Sequence, residues 1–279
     1  MKLLRVDFSS SVGFGHLKRS MVFMQRYKKG EYAIVCKECV DNIVKNIPVY
    51  SINSEEEFFE LVRDLKPEEV IVDNYAFDYK NEKRFKEDFP HIKLICFDDL
   101  FWPHYCDEII NHNLYAKKDS YKGLPSFTKV RIIPPLIGDN FKKAKKIQVK
   151  KEGIFISFGA TDTQGLGLKV LKLLKPYRPL VHFYTTSANA HLKELNKFTF
   201  LNRWVKLHID EDVAEGMARA EFGIITPSVI SYEALYMGLP FVAVEVAENQ
   251  KFITSFLKRK RYGVFKKNQI KRVSKFIAL

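Results

Sequence analysis

The chain has 279 residues, 46% hydrophobic and 28% charged, with a formal net charge of +13. That length suits one large globular domain or two of roughly 130–140 residues, either of which buries a real core. The basic excess favours nucleic acid, an anionic membrane surface or a phosphorylated small molecule, or it only solvates the surface. No recognition helix or aromatic-interleaved pattern accompanies the basic runs at 142–151 and 258–272, so nucleic acid is not expected.

The first predicted strand, Leu3 to Phe8, empties into three serines and then Gly13-Phe14-Gly15-His16, after which a helix is predicted to about Lys29. A first strand ending in a glycine-containing loop that opens a helix is how open α/β sheets build ligand crevices. Glycine permits positive φ and close backbone approach. His16, at the junction of loop and helix, suits proton transfer. The alternative is a loop histidine bonded to solvent or backbone.

Strands follow at Tyr32 to Cys36 and Pro48 to Ile52, then a helix to Leu65 opened by the capping box Ser54-Glu55-Glu56-Glu57. A strand from Glu69 ends in Asp73-Asn74-Tyr75, a helix reaches about Phe89, and a strand from Ile92 ends in Asp98-Asp99. Two more strands, Glu108 to Asn111 and Val130 to Ile133, close this half. Strands and helices alternating at this spacing argue for a parallel sheet with helices on both faces.

Pro134-Pro135 and the polar, basic stretch to Gly153 read as a linker, because proline stops the strand and few apolar residues follow. The rhythm then restarts without a sequence repeat. Strands are predicted near 154–158, 180–184, 204–209, 222–225 and 241–246, alternating with helices, and two helices, 249–261 and 269–277, end the chain. The expected fold class is α/β, two Rossmann-like domains, 1–140 and 141–279, facing across a cleft. In the second, Thr226-Pro227-Ser228 reads as a helix start with Thr226 as N-cap and Pro227 first in the helix. The next N–H groups, at Ser228 and Val229, then form an anion site. Glu233 follows at a spacing suited to ribose hydroxyls, or is a solvated helix-face residue.

The opening MKLLRVDF is too short and too quickly charged for a secretory leader, and no run of about 18 apolar residues suggests a membrane span. A cytoplasmic monomer with reduced thiols and no stable membrane insertion is therefore expected. Cys36 and Cys39 form a CxxC, read as buried thiols ending a strand, with zinc or redox chemistry as the alternative. No Asp/His set has convincing ligand spacing, so neither metal nor cofactor is expected.

The run HIDEDVAEGMARAEFGIITPSVISYEALYMGLPFVAVEV resembles the donor-nucleotide region of UDP-sugar glycosyltransferases of the GT-B fold. That resemblance implies that the backbone at Ile209 reads uracil, the helix start near Ser228 holds diphosphate, and Glu233 binds ribose. Over both halves, RVDFSSSVGFGHLKR, VDNYAF, FDDLFWPHYCDEIINHNLYA, GATD, TTSANAHL and AENQ resemble the UDP-sugar hydrolases of pseudaminic acid biosynthesis, which remove UDP from a diacetamido-trideoxy sugar. The resemblance makes His16 the catalytic base and has Tyr75 and Asn249 line the sugar site. It extends substrate contact to Asp7, Gly13, Gly15, Arg19, Gly159, Thr161, Asp162 and Gln250. Asp7 and Arg19 read equally well as a structural ion pair. Two positions depart from the pattern: Ala160 replaces a usual glycine, and Asn74 stands where a histidine can precede the tyrosine.

The implied chemistry is modest. UDP is a good leaving group, positive dipoles absorb its developing charge, and a base activating water on the opposite face of the sugar gives inversion. A glycosyltransferase using the same donor site and a non-catalytic UDP-sugar-binding protein are the competing readings. The remaining six histidines, among them His104 and His112, read as structural or surface residues.

Overall fold

The computed structural model describes residues 1–279 other than 10–11, 29, 41–43 and 277–279. Ser10 and Ser11 of the first loop, and Lys29 and Ile277 at two expected helix ends, lie outside the described residues. The chain divides into two compact units, Met1–Leu136 and Ile137–Leu279.

The first unit runs β1 (Lys2–Val6), α1 (Gly15–Tyr27), β2 (Tyr32–Cys36), β3 (Val49–Ser51), α2 (Glu55–Leu65), β4 (Glu69–Asp73), α3 (Tyr79–Asp88), β5 (Lys93–Phe97), β6 (Glu108–Asn111) and β7 (Lys129–Ile132). Strands β1, β2, β4 and β5 are each buried over all but their first residue. Strands so fully buried need cover on both faces, which a parallel sheet between helices supplies. The sheet order is β3-β2-β1-β4-β5-β6-β7, and neighbouring strands pair parallel. The chain moves outward from β1 to β3 and then returns to β4 on the other side of β1. The carboxyl ends of β1 and β4 therefore flank a topological switch point, where open sheets bind ligands.

One core lies under α2 and α3, where Phe58, Phe59, Phe77, Phe85 and Phe89 pack ring against ring at 5.1–6.4 Å. Ser54 caps α2 as expected, its hydroxyl accepting from the Glu57 N–H at 3.2 Å. The returning bond differs: Glu57 accepts from the N–H of Asn53 at 2.8 Å, one residue upstream of the cap.

The second unit contains α4 (Asp139–Ala144), β8 (Ile154–Ser157), α5 (Leu166–Leu174), β9 (Val181–Thr185), α6 (Leu192–Leu201), β10 (Val205–Ile209), α7 (Val213–Arg219), β11 (Phe222–Ile225), α8 (Val229–Met237), β12 (Phe241–Glu245), α9 (Lys251–Arg259) and β13 (Gly263–Lys266). The sheet is again all parallel, ordered β10-β9-β8-β11-β12-β13, with its switch point between β8 and β11. Three expectations are corrected. The supposed linker contains α4, because Phe141 and Ala144, three residues apart, are both buried. A last strand, β13, was missed, since only Val264 of its four residues is buried. The final helix is of the tighter 3-10 kind, over Lys267–Phe276.

Candidate active site

At the switch point of the first unit, Gly13 has φ +83°, which favours glycine. Apart from chain neighbours and the helix's own backbone, no atom of the described residues lies within 4 Å of where a Cβ would stand on Gly13 or Gly15, so both positions face open space. His16 is the second residue of α1, and its Nδ1 lies 2.6 Å from Oδ1 of Asp73, the last residue of β4. Asp73 also accepts from Arg19 through Nε at 2.7 Å and a terminal nitrogen at 2.6 Å, and from the Ser20 hydroxyl at 2.7 Å. Burial would raise the Asp73 carboxyl, but the charges of Arg19 and His16 outweigh it and hold Asp73 well below the usual carboxylate range. An ionised Asp73 can only accept, so Nδ1 of His16 carries the proton and Nε2 carries the lone pair. Arg19 lies 3.2 Å from Nδ1, but that same nitrogen donates to Asp73 at 2.6 Å. A carboxylate that fixes the tautomer of an imidazole base is the orienting arrangement of hydrolytic triads.

Arg19 is buried and joins this pair to a second carboxylate, donating to Oδ2 of Asp99 at 2.6 Å. Asp99 also accepts from the Tyr75 hydroxyl at 2.7 Å and the Asn113 amide at 2.6 Å. Burial raises the Asp99 carboxyl, but Arg19 foremost pulls it down to about 2. Burial and then the charge of Asp99 push the Tyr75 phenol well above its ordinary value, so Tyr75 is a fixed donor. Its ring meets His16 edge-on at 4.8 Å and Trp102 at 5.6 Å. His112 lies 3.4 Å from Arg19, and burial and then the Arg19 charge lower it to about 4. Sequence reasoning missed Asp73, Asp99 and Asn113. The available signal was two parallel strands ending in a carboxylate.

The expected Asp7–Arg19 pair does not form. Asp7 bonds Arg5 at 2.6 Å, the Asn74 amide at 2.6 Å and the Lys37 N–H at 2.7 Å, while Arg19 is committed to Asp73 and Asp99. Arg5 is fully buried and reaches Glu55 at 2.9 Å, so Asp7 ties β1 to α2 and to the turn after β2. The expectation of reduced thiols is corrected too. Cys36 and Cys39 form a disulfide with Cα atoms 5.9 Å apart, because the turn that Asp7 pins brings Cys39 back to the end of β2. Cys96 and Cys106 are free and buried.

Beside Tyr75 and Trp102 lies a cavity of about 400 Å³. Glu82 and His104 reach it and are bonded to each other, Oε1 to Nδ1, at 2.7 Å. Burial would lower His104, but the neighbouring carboxylates of Asp98 and Glu82 outweigh it and push it up to about 10. Glu82, Cys96, His104 and Cys106 together make a donor set that sequence spacing did not reveal.

In the second unit, Gly159 has φ +86° and open space where a Cβ would stand. Asp162 is buried and accepts from the N–H groups of Leu166 and Gly167 at 2.9 and 2.8 Å, which makes it a cap for α5. The carbonyl of Thr161 accepts from Ala190 at 3.1 Å. The helix start is corrected: Ser228, not Thr226, is the N-cap of α8, and Pro227 precedes the helix. The Ser228 N–H bonds the Thr226 carbonyl at 2.9 Å, and the Ser228 side chain makes no capping bond. Glu233, half-buried, is fifth in α8, and Ile209 closes β10. Asn249 is exposed, whereas Gln250 accepts from the Val246 N–H at 2.9 Å and shapes the loop after β12.

Comparison with curated proteins finds 34% identity over 271 residues with UDP-2,4-diacetamido-2,4,6-trideoxy-β-L-altropyranose hydrolase of Campylobacter jejuni, covering 94% of this chain and 97% of that protein. The chain belongs to this hydrolase family. Among solved structures, MurG of Acinetobacter baumannii matches with a TM-score of 0.61 and 12% identity, over 100% of this chain and 90% of that one. The Methanocaldococcus jannaschii UDP-GlcNAc 2-epimerase, in complex with UDP-GlcNAc and UDP, matches at 0.66 and 12%, over 99% and 92%. At such identity these neighbours show the fold alone, which is GT-B. No protein-family model matches the chain. Among the described residues, no helix of this hydrolase-family chain is long and apolar enough to cross a membrane.

Proposed function

We propose that the chain hydrolyses UDP-2,4-diacetamido-2,4,6-trideoxy-β-L-altropyranose or a close relative. In this reading water attacks the anomeric carbon with inversion and UDP leaves, a step of pseudaminic acid biosynthesis. Membership of the hydrolase family supports the reaction, and the Asp73–His16 pair, 2.6 Å apart at the switch point, carries the mechanism.

His16 accepts a proton from water at Nε2, and Asp73 stabilises the imidazolium that forms. Arg19 and Ser20 hold Asp73 in place, so little reorganisation accompanies the proton transfer. His112 is an unsuitable base because burial, and then the Arg19 charge, keep it weakly basic. Tyr75, its hydroxyl proton held by Asp99, is assigned to the sugar through its ring and hydroxyl oxygen. In the second unit, Ile209 is assigned to uracil, the start of α8 at Ser228 to diphosphate, and Glu233 to ribose. A helix N-terminus is a ready diphosphate site. Gly159 and Thr161 in the first loop of that unit, and Asn249 with Gln250 after β12, are assigned to the remaining substrate contacts.

The test is incubation with the UDP-sugar alone. UDP release at a steady rate without an acceptor supports hydrolysis. Release only on adding an acceptor makes the protein a transferase, and binding without turnover makes it a carrier.

A further inference from the structure

Three segments of the first unit deliver metal-type donors to one point. Glu82 comes from the first turn of α3, Cys96 from β5, and His104 and Cys106 from the connection between β5 and β6. All four are buried, and one donor atom of each lies within 4.8 Å of all the others. In a tetrahedral zinc site with bonds of about 2.0–2.3 Å, ligand atoms stand roughly 3.2–3.8 Å apart. To close on an ion, the widest pairs would draw in by about 1–1.6 Å and the His104–Glu82 pair, 2.7 Å apart, would open by roughly half an ångström.

We propose that Glu82, Cys96, His104 and Cys106 bind one zinc ion in a closed, structural site. Two thiolates, an imidazole and a carboxylate select a borderline-soft ion over magnesium or calcium. Four protein ligands leave no open position for catalysis. His104 Nδ1, already 2.7 Å from Glu82, is the coordinating nitrogen. Among the described residues its buried Nε2 has no hydrogen-bond partner, and it lies 3.6 Å from Asp98 Oδ1, which fits the carboxylate–histidine–zinc arrangement. The other oxygen of Glu82 is fixed by the Tyr105 N–H at 2.6 Å. Glu82, Cys96 and His104 also line the 400 Å³ cavity, which gives an ion a way in.

Binding releases two thiol protons and the proton between His104 and Glu82. Thiolate-rich structural sites hold zinc with roughly seven or more decades of apparent affinity at neutral pH, more than displacing one imidazole proton costs. The ion would fasten α3 and β5 to the segment that carries Asp98, Asp99 and Trp102. It is thus a positioning device for the partner of Arg19 and Tyr75.

The full chain, produced with zinc in the medium, is expected to retain about one zinc per chain after gel filtration. Replacing zinc by cobalt(II) is expected to give thiolate-to-cobalt absorption and tetrahedral bands. The double variant Cys96→Ser/Cys106→Ser loses both signals, while Cys36→Ser keeps them. Only substoichiometric metal with no thiolate–cobalt absorption overturns the proposal, as does undiminished zinc in the double variant. Should the serine variants fail to fold, Glu82→Gln keeps both thiols and is expected to weaken zinc by about tenfold or more. Unchanged zinc affinity in that variant removes Glu82 from the site and overturns the four-ligand assignment.

Discussion

At the scale of the residue, the proposed chemistry turns on which nitrogen of His16 carries the proton, and Asp73 decides that. Replacing His16 by Asn is expected to lower turnover by about 10²–10⁴, the usual worth of a general base. UDP affinity should stay unchanged, since the residues assigned to UDP are in the second unit. The ascending limb of the pH–rate profile should disappear with the base, and near-normal turnover would sink the mechanism. Asp73→Asn tests the positioning role separately: kcat should fall by about 10²–10⁴ while KM changes little, as when an orienting carboxylate is lost. His16 was legible because a glycine loop opening a helix is a local pattern. Asp73 and Asp99 were not, because their partner Arg19 lies 54 and 80 residues away in sequence. For the ribose assignment, Glu233→Ala should weaken UDP by about 1–3 kcal/mol, measured by calorimetry. Unchanged affinity would remove Glu233 from the site.

At the scale of the element, strands were easier to read than the ends of helices. Runs such as Leu3-Leu4 and Val70-Ile71-Val72 are buried on both faces and leave no other role. Helix starts depend on single side chains. Thr226 has the composition of a cap, yet its hydroxyl lies 3.0 Å from that of Ser228, and the chain turns two residues later than composition suggests. The short α4 and β13 escaped notice because each is anchored by one or two buried residues within basic sequence. Asp162 belongs to both the motif and the fold, and one substitution separates the two roles. Asp162→Ala should cost about 0.5–2 kcal/mol in chemical denaturation through loss of the α5 cap. If UDP affinity is preserved in the folded variant, the cap is its whole role. A large additional loss of affinity would instead make Asp162 a ligand.

At the scale of the whole molecule, the buried ionic network makes stability sensitive to acid in two steps. His112 is lowered to about 4 from an ordinary 6.5, so below pH 6.5 the unfolded chain takes up a proton that the folded chain refuses. That removes about 3 kcal/mol between pH 6.5 and 4. Asp99, held down to about 2, contributes stability present above the ordinary carboxylate range and lost as pH falls through 2, about 2 kcal/mol more. Urea midpoints measured from pH 7 to pH 3 should therefore begin to fall near pH 6.5. A flat profile down to pH 4 would show that burial and Arg19 do not hold His112 neutral. Both parallel sheets were expected from the alternation of strands and helices, and a ligand crevice beside His16 from the glycine loop that opens a helix. The packed clusters were not, because burial brings together residues that no spacing rule connects.

The empty space over Gly15 gives the protein a built-in probe. A methyl group added there meets no atom of the described residues within 4 Å beyond its chain neighbours and its own helix backbone, and the residue lies in the first turn of α1, where alanine is a better helix former than glycine. Gly15→Ala should therefore leave the melting temperature level or slightly higher. Any rise in KM would then measure how closely the substrate passes over the loop, free of the loss of stability that complicates most active-site substitutions.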